Sequence, residues 1–186
     1  MTLDCPSECV YLQRAREYER PRSLQDLDQS LLFPEVEIGE HFIYEHEHLL
    51  LGINYALVKS ARDDRSLVDL DLIGALAAVA KTYETLVNSG LHYETPAAGI
   101  REHVVTAEIQ NMVKEYREAE QKHSGYSRLR DSDVLRTLVF LVRMAYSRTS
   151  GRPKSRAFLD FLNLQFPDKQ SAIAPSEELG GRIIVP

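Results

Sequence analysis

Apolar residues recur at three- and four-residue intervals along most of the chain, and no run alternates apolar with polar residues between hairpin turns. A 3.6-residue period puts such residues on one face of a helix, and a pleated strand cannot present them to one core. The spacing predicts a helix over 40–62, with Phe42, Leu49, Ile53, Ala56 and Leu57 on its buried stripe. A second follows over 68–89, carrying Leu72, Ile73, Leu76, Ala80, Tyr83 and Val87. A third over 97–123 has the stripe Ile100, Val104, Val105, Ile109, Met112, Tyr116 and Ala119. The fourth, over 133–148, is apolar around much of its circumference and is expected to be the most buried element.

Local signals punctuate these stretches. Ser66 with Asp69 three residues on has the spacing of a capping box, and Gly90-Leu91 fits a left-handed helix stop with its hydrophobic contact. Thr95-Pro96 reads as an N-cap followed by proline at the first helical position. Ser124-Gly125 ends the third helix, and Asp131-Ser132-Asp133 opens the fourth. Shorter helices are expected over 7–20, 23–32 and 154–165, each stopping before a proline, and the closing residues, with the β-prone run RIIVP, read as irregular. The expectation is one all-α domain over 1–186. It has short N-terminal helices over 7–32, a four-helix bundle over 40–148, a further helix over 154–166 and a tail over 167–186. Connections of roughly five to ten residues between the long helices point to an up-down-up-down bundle.

Composition narrows the function classes. With 44% hydrophobic and 27% charged residues the chain is an ordinary globular one, and its net charge of −6 argues against a general nucleic-acid or membrane-surface binder. Residues 126–170 hold nine Lys/Arg against four acids, so this part carries +5 and the rest of the chain −11. The opening MTLDCPSECVYL lacks the basic and apolar regions of a secretory signal, and LIGALAAVA (72–80) and LVFLV (138–142) are too short to span a bilayer. The expected location is the cytoplasm, with Cys5 and Cys9 reduced.

The stretch EHFIYEHEHLLL (40–51) crowds three histidines and three glutamates into nine residues. On a helix His41, Glu45 and His48 form one stripe beside the core stripe, with residue types suited to a transition metal ion such as Zn, Fe or Mn. In an antiparallel bundle Glu84, His92, Glu94, Glu102 and His103 would lie level with them, near Arg143, Tyr146 and Arg148. The best metal set is then Glu45, His48, Glu84 and Glu102 or His103. The competing readings are a polar helix start favoured by the macrodipole and a cluster of histidines that loosens near pH 6. Glu45-His46-Glu47-His48 and Glu120-Gln121-Lys122-His123 each contain Glu-x-x-His, and the pair resembles the ferritin-like di-iron bundles. In an up-down-up-down arrangement Glu45 and His123 stand about 30 Å apart, so they share a site only if a long crossover reverses a helix. His41-x-x-x-Glu45 is similar to hemerythrin, but the further histidine pairs of that family are absent.

Cys5-Pro-Ser-Glu-Cys9 sets two sulfurs on one side of a helical turn, a half-site for zinc or an iron–sulfur cluster that the chain's cysteines alone cannot complete. Ser150-Gly-Arg-Pro-Lys-Ser-Arg156 resembles an AT-hook core, although Gly and Pro are equally good turn formers there and the acidic total disfavours DNA. Arg148, Arg152, Lys154 and Arg156 are better placed to hold a phosphate or an acidic protein. No phosphate loop, dinucleotide glycine pattern, nucleophile elbow or His-Glu-x-x-His occurs. The leading expectation is therefore a non-enzymatic interaction or assembly protein. It would use leftover apolar helical surface and the Ile183-Ile184-Val185 run to meet a protein partner or a second copy. A metal-binding bundle and a nucleic-acid accessory protein are the alternatives.

Overall fold

The computed structural model describes residues 29–167, and these contain helices and no strand. The helix expected over 7–20, both cysteines and Ile183-Ile184-Val185 lie outside the described residues. Of the 23–32 helix only a 3-10 turn, Gln29–Leu32, is described.

After that turn come α1 (Phe42–Glu45), α2 (Glu47–Asp63), α3 (Asp69–Ser89), α4 (Ile100–Ser124), α5 (Asp131–Arg148) and α6 (Ala157–Gln165). The helix expected over 40–62 is thus broken at His46, whose backbone (φ −117, ψ 22) leaves helical geometry. The start of α3 is stabilised by Asp69 and Asp71 in its first turn, and the Asp71 carboxylate accepts the Val68 N–H at 3.1 Å. Ser66 instead donates to Asp64 and does not cap the helix. Gly90 (φ +71) and Gly125 (φ +77) end α3 and α4 in the left-handed conformation that glycine adopts without a steric penalty.

Helix α4 begins at Ile100, later than the Thr95-Pro96 signal suggests. Residues 90–99 form an extended strap, in which the Thr95 N–H donates to Thr82 Oγ1 at 3.0 Å. The strap runs back along α3 and reverses the direction expected of α4. Across α3 and α4, Arg101 pairs with Asp71 at 3.2 Å, Glu102 packs on Gly74, and Arg117 lies over the Tyr83 ring. Residue numbers rise together along this seam, so the two helices are parallel. Across α2 and α4, Lys59 pairs with Glu108, and Gly52 faces Met112. There one number rises as the other falls, so these helices are antiparallel. A short turn then folds α5 back, and Arg117 pairs with Asp131 at 2.6 Å. The bundle is up-down-down-up, a correction to the up-down-up-down expectation. The reason is chain reach: α3, with 21 residues, is about 31 Å long, and ten extended residues span about that distance.

One apolar core joins the helices. Between Asp69 and Ala80 only Gly74 is not fully buried, so α3, not α5, is the most enclosed element. The inward face of α4 is Glu102, Val105, Thr106, Ile109 and Val113. Ile100 (86% exposed) and Val104 (53%), expected in the core, face outward. Two polar clasps close the fold. Buried Asp69 accepts the Ser155 hydroxyl (2.6 Å) and the Leu159 (3.1 Å) and Phe158 (3.3 Å) N–H groups, fixing the start of α6. Arg143 donates to the Leu32, Phe33 and Val36 carbonyls and holds buried Phe33 at φ +49, a conformation costly for a side chain of this kind. No helix among the described residues is long and apolar enough to cross a membrane.

Candidate functional site

The histidine-rich stretch is not brought together with the other expected ligands among the described residues. His41, Glu45 and His48 are exposed, and the break at His46 interrupts the stripe they would have shared. His46 itself has structural partners. Its ring stacks on Phe42 with centroids 4.3 Å apart, Nδ1 lies 3.1 Å from the Phe42 carbonyl, and Nε2 is 3.6 Å from Asp133. Reversal of α4 carries Glu102 and His103 to the end of the bundle opposite Glu45 and His48. Glu84 stands about 15 Å along α3 from the Gly74–Glu102 contact. Glu102 is 2% exposed and its Oε2 accepts the Ala98 N–H at 2.9 Å, so it braces the start of its own helix. His103 is exposed.

The crossover does bring the second Glu-x-x-His to the end that holds Glu45. There Glu120 accepts the Ser127 hydroxyl and the Arg128 and Leu129 N–H groups, organising the turn into α5, while His123 is exposed. Among the described residues no three His, Cys, Asp or Glu side chains converge as a metal would require. Cys5 and Cys9 lie outside those residues. The basic turn 150–156 is built into the fold: Ser155 bonds Asp69, and the Arg156 guanidinium donates to the Arg65 and Leu67 carbonyls. Arg148 lies over the Phe161 ring.

A different feature stands out on the opposite side of the bundle from the strap. Helices α2 and α5 each run antiparallel to α4 and are therefore parallel to each other. Between them is an open groove of about 450 Å³, lined by Tyr44, Leu50, Leu51, Phe140 and Met144, with Asn54 and Glu47 as its polar members. Tyr44 is 80% exposed, whereas Asn54 is 3% exposed and its Oδ1 has no hydrogen-bond partner. That oxygen is shielded by its own surroundings, as are Thr106 Oγ1, Arg117 Nε and Thr149 Oγ1, and a buried acceptor left unpaired costs about 1–3 kcal/mol. Glu40, Glu45 and Glu47 are exposed on the α1–α2 side of the rim, and from α5 the Arg136 guanidinium lies over the Phe42 ring, 5.9 Å from its centroid, so the rim carries both signs of charge. Gln165, at the end of α6, closes one side of the groove, and Phe166 packs edge-on against Tyr55.

Sequence reasoning missed this site. Leu50 stands beside the stripe expected on its helix, and Phe140 and Met144 lie in a helix expected to be the most buried, so nothing in the pattern placed them at an open seam. The one available signal was Asn54, an amide between Ile53 and Ala56-Leu57 on a core stripe. Comparison with known protein families, with curated proteins and with solved structures gave no match.

Proposed function

We propose that the chain is a non-enzymatic interaction protein of the cytoplasm that docks a partner segment in the groove between α2 and α5. The observation that carries this reading is an open apolar groove with exposed Tyr44 and Leu51 at its edge. Leu50, Leu51, Phe140 and Met144 supply the apolar surface. Removing such surface from water is worth roughly 25 cal/mol per Å². The ligand is therefore a short aliphatic segment presented by a protein.

The test places a photo-crosslinking residue at position 51 of the full chain in cells, with position 114 on the outer face of α4 as control. Discrete adducts at 51 and none at 114 are expected. Adducts equal at both positions, or none at 51, would remove the groove as the docking site.

A further inference from the structure

Where α2 ends, well past the groove, three arginines converge on one open pocket. Arg62, Arg65 and Arg156 line it together with Ala61, around a volume of about 550 Å³, and among the described residues its lining carries no acid. Like charges gather in this way only where other groups hold them. Arg156 Nη1 donates to the carbonyl of Arg65 (2.8 Å) and to that of Leu67. Arg156 also stands on a fixed base, because Asp69 bonds Ser155 before it and Phe158 and Leu159 after it. Arg62 donates to the Phe166 carbonyl and lies in the last turn of α2, where the helix dipole favours a cation.

Arg65 is different. It lies beyond the helix and is exposed, and its side chain has no hydrogen-bond or ion-pair partner among the described residues. The turn that carries it is nonetheless fixed, since the Asp64 carboxylate accepts the Ser66 N–H (2.8 Å) and hydroxyl (2.6 Å). The nearby acids are placed elsewhere. Asp64 is committed to Ser66, Asp63 adds to the field at Lys59 on the α4 side, and Asp160 is exposed one turn along α6. None of the three lines the pocket.

We propose that Arg65 and Arg156 form a binding site for a phosphate monoester group. Arg156 keeps its Nε and Nη2 donors beyond the two carbonyl bonds, and Arg65 keeps its whole fork. Each guanidinium can meet two oxygens of one tetrahedral anion, a match that a single ammonium point charge cannot make. A carboxylate offers only two oxygens and one charge, so two forks favour phosphate over an acidic side chain. Arg62 forms a wall of the pocket, and no ligand bond is assigned to it. Ala61, the buried member, leaves the centre open, and the pocket is roomier than a bare phosphate needs, which leaves space for the esterified group. The site is separate from the α2–α5 groove and stands independently of the docking reading.

The experiment follows the arginine Nε–H signals of the ¹⁵N-labelled full chain near neutral pH in about 0.15 M NaCl, where unspecific surface attraction is screened. The probes are glycerol 3-phosphate, the peptide acetyl-Ala-phosphoserine-Ala-amide and, as the carboxylate control, acetate. Saturable movement of the Arg65 and Arg156 signals is expected with both phosphate probes, about tenfold tighter than with acetate. Tighter binding of the peptide would give a phosphorylated protein as the source of the group, and tighter binding of glycerol 3-phosphate a small ester; both hold the site. Arg65→Gln should weaken binding about tenfold, and Arg65→Lys, which keeps the charge and loses the fork, about threefold or more. Lys114→Gln, on the outer face of α4, should stay within about twofold of the parent. Because the Arg65 side chain has no partner in the fold, the unfolding midpoint of Arg65→Gln should be unchanged, which separates lost binding from lost structure. No saturable movement at Arg65 and Arg156, an equal loss in Lys114→Gln, or full affinity in Arg65→Lys would each overturn the site.

Discussion

The two long seams of this bundle are built to different standards. Along α3 and its neighbours, small and branched residues are buried almost without interruption, and both buried carboxylates are committed: Asp69 to Ser155, Phe158 and Leu159, and Glu102 to Ala98, with Thr106 Oγ1 and Arg117 Nε left unpaired on α4. Between α2 and α5 the apolar residues are half covered and Asn54 keeps a buried acceptor unpaired. The contrast between the two seams is therefore one of apolar coverage: closed along α3, half open between α2 and α5.

The sharpest way to break the comparison is at Asp69. Asp69→Ala strands three donors in the closed seam, and we expect a loss of about 3–5 kcal/mol in urea unfolding. A loss below 1 kcal/mol would mean that this seam is no tighter than the other. Next is Gly74→Ala. The new Cβ would come within 2.8 Å of the Glu102 carboxyl carbon and 3.0 and 3.1 Å of its oxygens. Because Glu102 is itself buried and bonded, the clash should cost about 1–3 kcal/mol. A double-mutant cycle with Glu102→Ala should show strong coupling, and additivity would contradict the contact.

In the groove the sign reverses. Asn54→Leu keeps the volume and removes the unpaired acceptor, so thermal stability should rise by about 1 kcal/mol. A stability loss of that size would show that the amide is satisfied in solution. Gly52→Ala is a milder contrast. Its Cβ meets only the terminal methyl and sulfur of Met112, a flexible side chain that can move aside. Helix propensity then favours alanine, and we expect a net change within about 1 kcal/mol of zero, measured by the same unfolding curve.

The smallest effect concerns alkaline pH. Burial pushes the Tyr83 phenol above its ordinary value, and Asp131 adds to this while Arg117 opposes it. A neutral phenol favoured in the fold contributes stability that is complete below the unfolded value near 10 and is lost as pH rises through the folded value. Tyr83→Phe should therefore flatten the decline in stability above pH 10, and an unchanged slope would remove Tyr83 as its source.

Much of the fold was legible in the sequence. The long helices, the Gly90 and Gly125 stops and the buried positions Leu72, Ile73 and Leu76 follow from period and turn chemistry. The direction of α4 did not follow, because amphipathicity is the same whichever way a helix runs. Thr95-Pro96 misled for a related reason: proline suits an extended segment as well as a first helical turn. The decisive signal was a length, since the ten residues at 90–99 are just enough to retrace α3. The expected approach of Glu102 and His103 to the histidine stretch did not follow either, because the direction of α4 sets the end of the bundle at which they lie. Asn54 could be read as unusual, but an unpaired atom is a property of packing that one-dimensional pattern does not carry.

The strap also ties the folding of three helices together. The turn between α4 and α5 closes locally through Arg117 and Asp131, yet those two helices barely touch along their lengths. Each packs instead on α3, across loops such as the one that Asp71 and Arg101 close. In pulse-labelled hydrogen exchange, the amides of α3, α4 and α5 should therefore gain protection together, with no pair of neighbouring helices secured ahead of the rest.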